Sequence, residues 1–408
     1  MKILFVAMSN SIHTARWTKQ LSDNKNEDFN LFLFPSISIG EIHPLFENIT
    51  IYPSFFSLDI PFSKKCNVNI KGINLRIRLL TRLFYFFIEK YFPEWNQKRL
   101  YRLIKRIKPD IIHTLETQSS GYLLAAVKKK YFKNKPFPVW WHTNWGSDIY
   151  LFGRLGEHKE SIKEVLSECD YYSCECKRDV VLAKQFGFNK TVLPVYPNSG
   201  GFDLKHLTKI RETLQKPSAR KYIMLKGYQG WAGRSLVALR ALSKLKEQLK
   251  GYTIIIYTYQ GIDVKIAAEL LSYETGIDVK FLPEKTSHDE MLQAHGMARI
   301  SIGLSISDAI STSVLEAMAM GSFPIQSWTS AAGEWFDDGI SGLLVPPEDP
   351  EDVAKAIERV LIDDNLVDNA YEINWNTVKE RLDCNVLKEK TINSYKSIME
   401  SKRHDLSR

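Results

Sequence analysis

Ser305-Ile-Ser-Asp308-Ala-Ile-Ser311-Thr312-Ser313-Val-Leu-Glu316-Ala-Met-Ala-Met-Gly321-Ser-Phe323-Pro-Ile-Gln, followed by Glu334-Trp335 and Gly342-Leu-Leu-Val-Pro-Pro-Glu348, is the most telling stretch of this 408-residue chain. Asp308 and Glu316 stand eight positions apart. Ser311, Thr312 and Ser313 are helix-start residues, and the apolar Val314, Leu315, Ala317 and Met318 behind them predict a loop that turns into a helix. The first N–H groups of such a helix have no partner within it and face any anion placed in front. Gly321 ends the helix, a short strand Phe323 to Trp328 follows, and another loop returns the chain to the same end of a sheet, where ligands gather in open α/β folds. Ser313 and Glu316 also fit the Ser-x-x-Glu capping box of an ordinary helix, and Asp308 a plain turn. On sequence both readings stand.

Outward from this stretch, the chain alternates strand-like runs with helical spacing. A first series runs Lys2 to Met8, Phe29 to Pro35, Asp110 to Leu115, Pro138 to Thr143, Tyr171 to Cys176 and Thr191 to Tyr196. A second runs Lys221 to Lys226, Tyr252 to Tyr259, Val279 to Pro283, Arg299 to Ile306, Phe323 to Trp328 and Gly342 to Pro346. Between them Tyr196-Pro-Asn-Ser-Gly-Gly-Phe-Asp203 is dense in turn residues and marks a linker. The expected fold class is α/β: two doubly wound, Rossmann-like domains facing across a cleft, residues 1–197 and 198–384, with a terminal helix 385–408. Asp349 before Pro350 and Ser287-x-x-Glu290 read as helix starts.

Composition fits an ordinary globular protein with two cores, at 44% hydrophobic residues. Five cysteines, Cys66, Cys169, Cys174, Cys176 and Cys384, are odd in number and irregularly spaced, which argues for a reducing compartment. Cys169, Cys174 and Cys176 lack a nearby histidine and read as core residues, not metal ligands. The N-terminus reads as a strand, no apolar run is long enough to cross a bilayer, and a cytoplasmic location is expected.

The net charge is +8, and residues 71–108 alone hold eleven Lys or Arg against two Glu. Within that region Leu75, Ile77, Leu79, Leu80, Leu83, Phe84, Phe86, Phe87 and Ile88 interleave with Arg76, Arg78 and Arg82. It is either a solvated helix face over a core or a surface for docking on an anionic membrane, which would make the protein peripheral. No nucleic-acid motif accompanies the charge, so no nucleic-acid partner is expected. In Ser9-Asn10-Ser11-Ile-His13-Thr-Ala-Arg16, Asn10, Ser11 and Arg16 follow the first strand and can approach a ligand, while Ser11 equally suits a helix cap.

The Asp308-to-Glu316 segment resembles the donor-binding signature of the retaining glycosyltransferases of family four (glycosyl transferases group 1), which have the GT-B fold. The family pattern is Glu, seven residues, Glu; here the leading residue is Asp308, one methylene shorter. The resemblance implies that Asp308 contacts sugar hydroxyls, Glu316 holds the ribose, and the N–H groups of Ser311, Thr312 and Ser313 face the pyrophosphate. It also implies a nucleotide-sugar donor of UDP or GDP type and a terminal helix that crosses back to the first domain. Lys226 and Arg234, in Met224-Leu-Lys226-Gly-Tyr-Gln-Gly-Trp-Ala-Gly-Arg234, follow the second domain's first strand, where the family carries an Arg and a Lys five apart; here the pair is inverted in type and eight apart, and a mobile glycine loop with solvated charges is the other reading. Trp141-His142-Thr143 running into Trp145-Gly-Ser147-Asp148 resembles the family's strand-end histidine, with a hydrogen bond from His142 to the donor sugar implied; a satisfied core histidine is the other reading. Glu334 resembles a position near the nucleotide. The expected function is transfer of a hexosyl group to a glycan or lipid-linked acceptor, in bacterial surface polysaccharide synthesis, with no cofactor and no metal since no Asp-x-Asp cluster stands near the site. A non-catalytic nucleotide-sugar-binding subunit and a GT-B epimerase or phosphorylase are the alternatives.

Overall fold

A computed structural model describes residues 1–22, 29–58, 67–259 and 261–406. The chain divides into two compact units, residues 1–200 with 386–408, and residues 201–385. The strands of the first unit are β1 (Lys2–Ala7), β2 (Asn30–Pro35), β3 (Ile49–Ile51), β4 (Phe55–Phe56), β5 (Asn69–Ile70), β6 (Ile73–Asn74), β7 (Ile111–Leu115), β8 (Val139–Thr143), β9 (Tyr171–Ser173) and β10 (Thr191–Val192). Apart from β4 and β6, which pair with each other, they form one parallel sheet in the order β10-β9-β8-β7-β1-β2-β3-β5. Ile3, Leu4, Phe5 and Val6 of β1 are fully buried. An unbroken apolar run of this kind is what a central parallel strand covered on both faces requires. The chain winds outward from β1 through β2, then returns with β7 on the other side, so the strand order reverses between β1 and β7.

The strands of the second unit are β11 (Tyr222–Lys226), β12 (Thr253–Tyr257), β13 (Asp278–Phe281), β14 (Ala298–Gly303), β15 (Phe323–Ser327) and β16 (Leu343–Val345). Their order is β13-β12-β11-β14-β15-β16, again all parallel, with the reversal between β11 and β14. Its core is built from alternate strand residues, Ile223 and Leu225, Ile254 and Ile256, Ile300 and Ile302, Phe323 and Ile325. The expected caps form: Asp349 accepts from the N–H groups of Glu351 and Asp352, and Ser287 and Glu290 make a reciprocal capping box. Arg299 is buried, yet its guanidinium donates to the carbonyls of Val360 and Ser218 and pairs with Asp364 at 2.7 Å.

Several expected strands run short, Arg299 to Ile306 ending at Gly303 and Tyr252 to Tyr259 at Tyr257, and for two the physical reason is plain. Thr191 to Tyr196 stops at Val192, just before Pro194 and Pro197, which cannot donate to a ladder. Tyr171 to Cys176 stops at Ser173, since the chain turns there and Cys176 becomes the residue before the helix Lys177–Gln185. Cys169, Cys174 and Cys176 are buried, and burial pushes the Cys169 thiol up to about 12. Cys66 lies outside the described residues.

The helix Arg78–Tyr91 turns its apolar side outward. Only Thr81 and Tyr85 are buried, the Tyr85 hydroxyl being tied to Ser54 and Phe55, while Leu79 and Phe86 are each 66% exposed and Leu83, Phe84 and Phe87 are exposed as well. The solvated-face reading placed these residues over a core, and for this helix the structure corrects it. Arg78 and Arg82 are held by Glu41 at 3.2 and 2.9 Å. No helix among the described residues is long and apolar enough to cross a membrane.

Candidate functional site

Doubly wound sheets present a crevice at the carboxyl ends of the two strands where the order reverses. In the second unit those strands are β11 and β14, and the loops that follow them carry Lys226 to Arg234 and Leu304 to Ser313. The two loops are bonded together: the Arg234 N–H donates to Leu304 O and the Ile306 N–H to Ala232 O, both at 2.9 Å, and Gly233 bridges to Ser305. The carboxyl end of the glycine-rich loop is therefore tied to the loop after β14, while Trp231 before it is exposed.

Lys226 ends β11 and its Nζ donates to Ser311 Oγ at 2.8 Å. Ser311 precedes the helix Thr312–Met320, and its hydroxyl lies 2.8 Å from that of Ser313 rather than on a helix N–H. Among the hydrogen bonds of the described residues none satisfies the N–H of Thr312 or Ser313. The first turn holds no acidic residue either. An ammonium group and open helix N–H groups thus face one place, a charge arrangement suited to a phosphate. Asp308 sits in the same loop, half-buried, and after burial its charge is the next cause of the raised Tyr228 pKa.

Glu316 makes no capping box. The helix starts at Thr312, which puts Ser313 at its second position and Glu316 at its fifth, and no side chain caps it. The carboxylate is instead buried, at 6% exposure, between two histidines of the helix His288–Met297: His288 Nε2 lies 3.2 Å from Oε1 and His295 Nε2 3.8 Å from Oε2. His295 is fully buried, its Nδ1 lies 3.2 Å from Ser301 Oγ, and its Nε2 has no hydrogen-bond partner. Burial lowers its pKa to about 4, against the pull of the Glu316 charge.

That depression has a sign. With an ordinary value of 6.5, the unfolded chain takes up a proton from this imidazole before the folded chain does, so its contribution to stability is present above pH 6.5 and is lost as pH falls toward about 4. The loss between pH 7 and 5 is about 2 kcal/mol for this one group. In His295→Gln, thermal unfolding at pH 7 and pH 5 is expected to differ less than in the parent protein. An equal pH slope in both would remove His295 from the acid response.

Arg234 is engaged: Nε donates to Glu348 at 2.7 Å and Nη1 to the carbonyls of Gly230 and Gly233. Glu334 ends a short turn Ala332–Glu334 and is half-buried. The start of that turn is tied beside Asp308, the Ala331 N–H donating to Ala309 O at 2.7 Å. Lys226 is thus bonded to the start of the helix that carries Thr312, Ser313 and Glu316, Asp308 lies in the loop just before it, and the stretches bearing Arg234 and Glu334 are hydrogen-bonded to that same loop.

In the first unit, the loops after β1 and β7 meet the same topological condition. Ser11 Oγ accepts from the N–H groups of His13 and Thr14 at 3.2 and 3.4 Å, which is the cap reading. Asn10 is exposed and lines an open hollow with Glu41, His43 and Arg78; Arg16 lies close enough for its charge to lower the His43 pKa after burial has done so. Asp148 Oδ2 accepts from the N–H groups of Thr117 and Trp145, both at 2.8 Å. Beside it Glu116, at a φ of 80°, accepts from Ser119 and Ser120, and burial raises the pKa of both acids. A φ of this kind in a non-glycine residue marks a strained, overdetermined turn. His142 is fully buried with Nδ1 2.8 Å from Thr114 Oγ1 and Nε2 3.1 Å from Thr117 Oγ1, and burial takes its pKa down to about 3. Both ring nitrogens are occupied, so as it stands the ring is a neutral wall residue, and a bond to a sugar requires it to release a threonine. His113 is held likewise by Tyr395 and Thr143.

Sequence reasoning missed His288, His295, Tyr228 and Glu116. The two histidines are seven apart, two helical turns, and so share a face, which was a readable signal without a readable target.

Among known proteins, the family model described as glycosyl transferases group 1 matches residues 208–374, and that described as glycosyl transferase 4-like matches residues 87–173. No curated protein matches the sequence. Solved structures do. Anabaena HepE, in complex with UDP and glucose, is 14% identical over 97% of this chain and 100% of its own, with a TM-score of 0.65. Sucrose-phosphate synthase from Thermosynechococcus elongatus is 15% identical over 98% of this chain and 100% of its own, also at 0.65. The α,α-trehalose 6-phosphate synthase of Burkholderia multivorans is 12% identical over 98% of this chain and 99% of its own, at 0.67. At such identities the likeness establishes the fold.

Proposed function

We propose, from the premise that this chain is a glycosyltransferase with the GT-B fold, that it moves a hexosyl group with retention from a nucleoside-diphosphate sugar to a glycan or lipid-linked acceptor of surface polysaccharide synthesis. What carries the donor reading is the meeting of Lys226, the open N-terminus of Thr312–Met320 and the buried Glu316 at one strand-order reversal. Lys226 and the helix N–H groups take the diphosphate, Glu316 accepts from the ribose hydroxyls, and Asp308 reaches the sugar. Anabaena HepE, with UDP and glucose bound, supports this ligand class.

In the proposed reaction the bond from the sugar's anomeric carbon to the diphosphate breaks while the acceptor oxygen bonds on the same face. The acceptor proton passes to the departing phosphate oxygen. The positive charge at Lys226 and the helix matters most as the diphosphate gathers negative charge. Lys226→Ala is expected to lower turnover about tenfold to a hundredfold, the worth of one charge-assisted bond. Because these groups supply the positive charge, chelation with EDTA is expected to leave turnover unchanged; a loss restored by magnesium would oppose that reading. Product stereochemistry by proton NMR tests retention, and an inverted anomer would exclude the same-face path.

The acceptor side of the reading rests on the first unit, with Asn10, Ser11, Arg16 and Asp148 near its ligand-binding edge. The outward apolar side of Arg78–Tyr91, with Arg76 and Lys90 close by, supports docking on an anionic membrane. Phe86→Ser with Phe87→Ser is expected to weaken sedimentation with anionic vesicles by at least about a hundredfold, at roughly 1.5–3 kcal/mol per buried aromatic side chain. Unchanged sedimentation would place the membrane elsewhere.

A further inference from the structure

We propose a second anion site in the first unit, built for a phosphate or diphosphate group, between the helix Trp95–Ile107 and the ends of β2, β3 and β5. Lys71, Arg99, Arg102 and Arg106 line an open hollow there of about 310 Å³, together with Phe34, Tyr52 and Leu103. Arg99, Arg102 and Arg106 recur at spacings of three and four, so one helix face presents all of them. Phe34 stands near the end of β2, Tyr52 follows β3 and Lys71 follows β5; these strands are parallel, so the residues come from the carboxyl edge of the sheet. That is the edge at which such sheets take ligands.

The guanidinium groups are positioned by the fold. Arg99 Nη2 donates to Tyr52 O at 2.8 Å and its Cζ lies 5.1 Å from the centre of the Phe34 ring. Arg106 Cζ lies 5.0 Å from the centre of the Tyr52 ring. Burial lowers the Arg99 pKa, so this cation is partly stripped of water. Among the described residues none of the four cations is in an ion pair with a carboxylate, although this chain pairs many of its exposed lysines and arginines. Four like charges around one hollow, Arg99 half-buried and Lys71, Arg102 and Arg106 at its exposed rim, repel one another, and the repulsion is relieved by an anion of charge near −2. Planar guanidinium forks match the oxygens of a phosphate, which a single carboxylate would leave in excess. The ligand is therefore a phosphate group, carried either by a lipid or by a soluble ester. The exposed Phe92 and Trp95 lead directly into this helix and bring the lipid source within reach.

The test uses the full chain and two double variants of equal charge: Arg102→Gln with Arg106→Gln inside the hollow, and Lys105→Gln with Lys108→Asn outside it, at the last turn of the same helix and the residue that ends it. Asparagine is chosen at 108 because Lys108 has a φ of 50°. Inorganic pyrophosphate is titrated while the arginine Nε–H resonances are followed by NMR, Arg99 being assigned through Arg99→Lys. Sedimentation with phosphatidylcholine vesicles, with and without phosphatidic acid, forms the second arm. The Arg99 resonance is expected to respond, with affinity falling at least about tenfold in the hollow variant and less than about twofold in the outer one. The same ranking on phosphatidic acid identifies a lipid-borne phosphate, and a ranking seen with pyrophosphate alone identifies a soluble ester. Equal losses in both variants, or a silent Arg99, overturn the site. Neither arm involves sugar transfer, so the result stands apart from the donor reading.

Discussion

Glu316→Gln is expected to leave the protein folded while weakening nucleotide-sugar binding by about tenfold to a hundredfold, the worth of a hydrogen bond to a charged group. The substitution keeps the shape of the side chain and removes only its charge and half its accepting capacity. If the carboxylate holds a ribose, two hydroxyl donors lose an anionic acceptor and the loss shows in affinity as well as turnover. If Glu316 serves only as a packing and hydrogen-bonding partner of His288 and His295, the loss shows in stability, with nucleotide affinity intact. Isothermal titration with UDP and GDP, beside thermal unfolding, separates the two. Unchanged affinity in a folded Glu316→Gln protein would falsify the ribose assignment.

A larger effect on stability is expected at Gly321. It ends the donor-side helix at a φ of 81°, and a Cβ placed there would stand 1.9 Å from Tyr371 Cδ2 and 2.3 Å from Cε2. Left-handed backbone costs an L side chain about 1–2 kcal/mol, and forced overpacking adds about 1–3 kcal/mol. Gly321→Ala should therefore destabilise the fold by about 2–5 kcal/mol. Tyr371 stacks against Arg211, whose Cζ lies 3.8 Å from the ring centre, so the ring is not free to swing aside. In Gly321→Ala with Tyr371→Ala the steric part is expected to be recovered and the backbone part kept, a coupling that a double-mutant cycle of urea midpoints reads directly. Additive losses would show that the clash is relieved some other way.

The architecture was legible because strands such as Lys2–Ala7, Tyr222–Lys226 and Thr253–Tyr257 are concentrated apolar runs, and a parallel sheet covered on both faces demands such runs. Ile49–Ile51, Phe55–Phe56, Asn69–Ile70 and Ile73–Asn74 were not expected, since so few residues do not announce a strand. The donor crevice was legible for a related reason. Lys226 and Ser311 are 85 positions apart, yet both follow strands that flank the reversal, and the topology brings their loops together. What escaped was set by packing partners distant in sequence. Whether Ser313 and Glu316 cap a helix turns on its first residue, and Thr312 in that place releases the carboxylate to the histidines of another helix. For His142, the sequence supplied the strand end but not Thr114 and Thr117, which occupy its nitrogens. The helix Arg78–Tyr91 shows the limit of periodicity: the pattern defines an apolar stripe and leaves its direction to the tertiary fold.

The most direct measurement of the central claim is a thermal-unfolding screen against UDP, GDP, ADP, CMP and dTDP sugars, run on the parent protein, Lys226→Ala and Glu316→Gln. A ligand at a hundredfold excess over its dissociation constant adds about 2.7 kcal/mol of stability. The account predicts that one base class gives this shift in the parent protein, and that either substitution largely removes it. No shift with any nucleotide sugar, or a shift that both variants retain in full, would contradict a donor site at Lys226, Ser311 to Ser313 and Glu316.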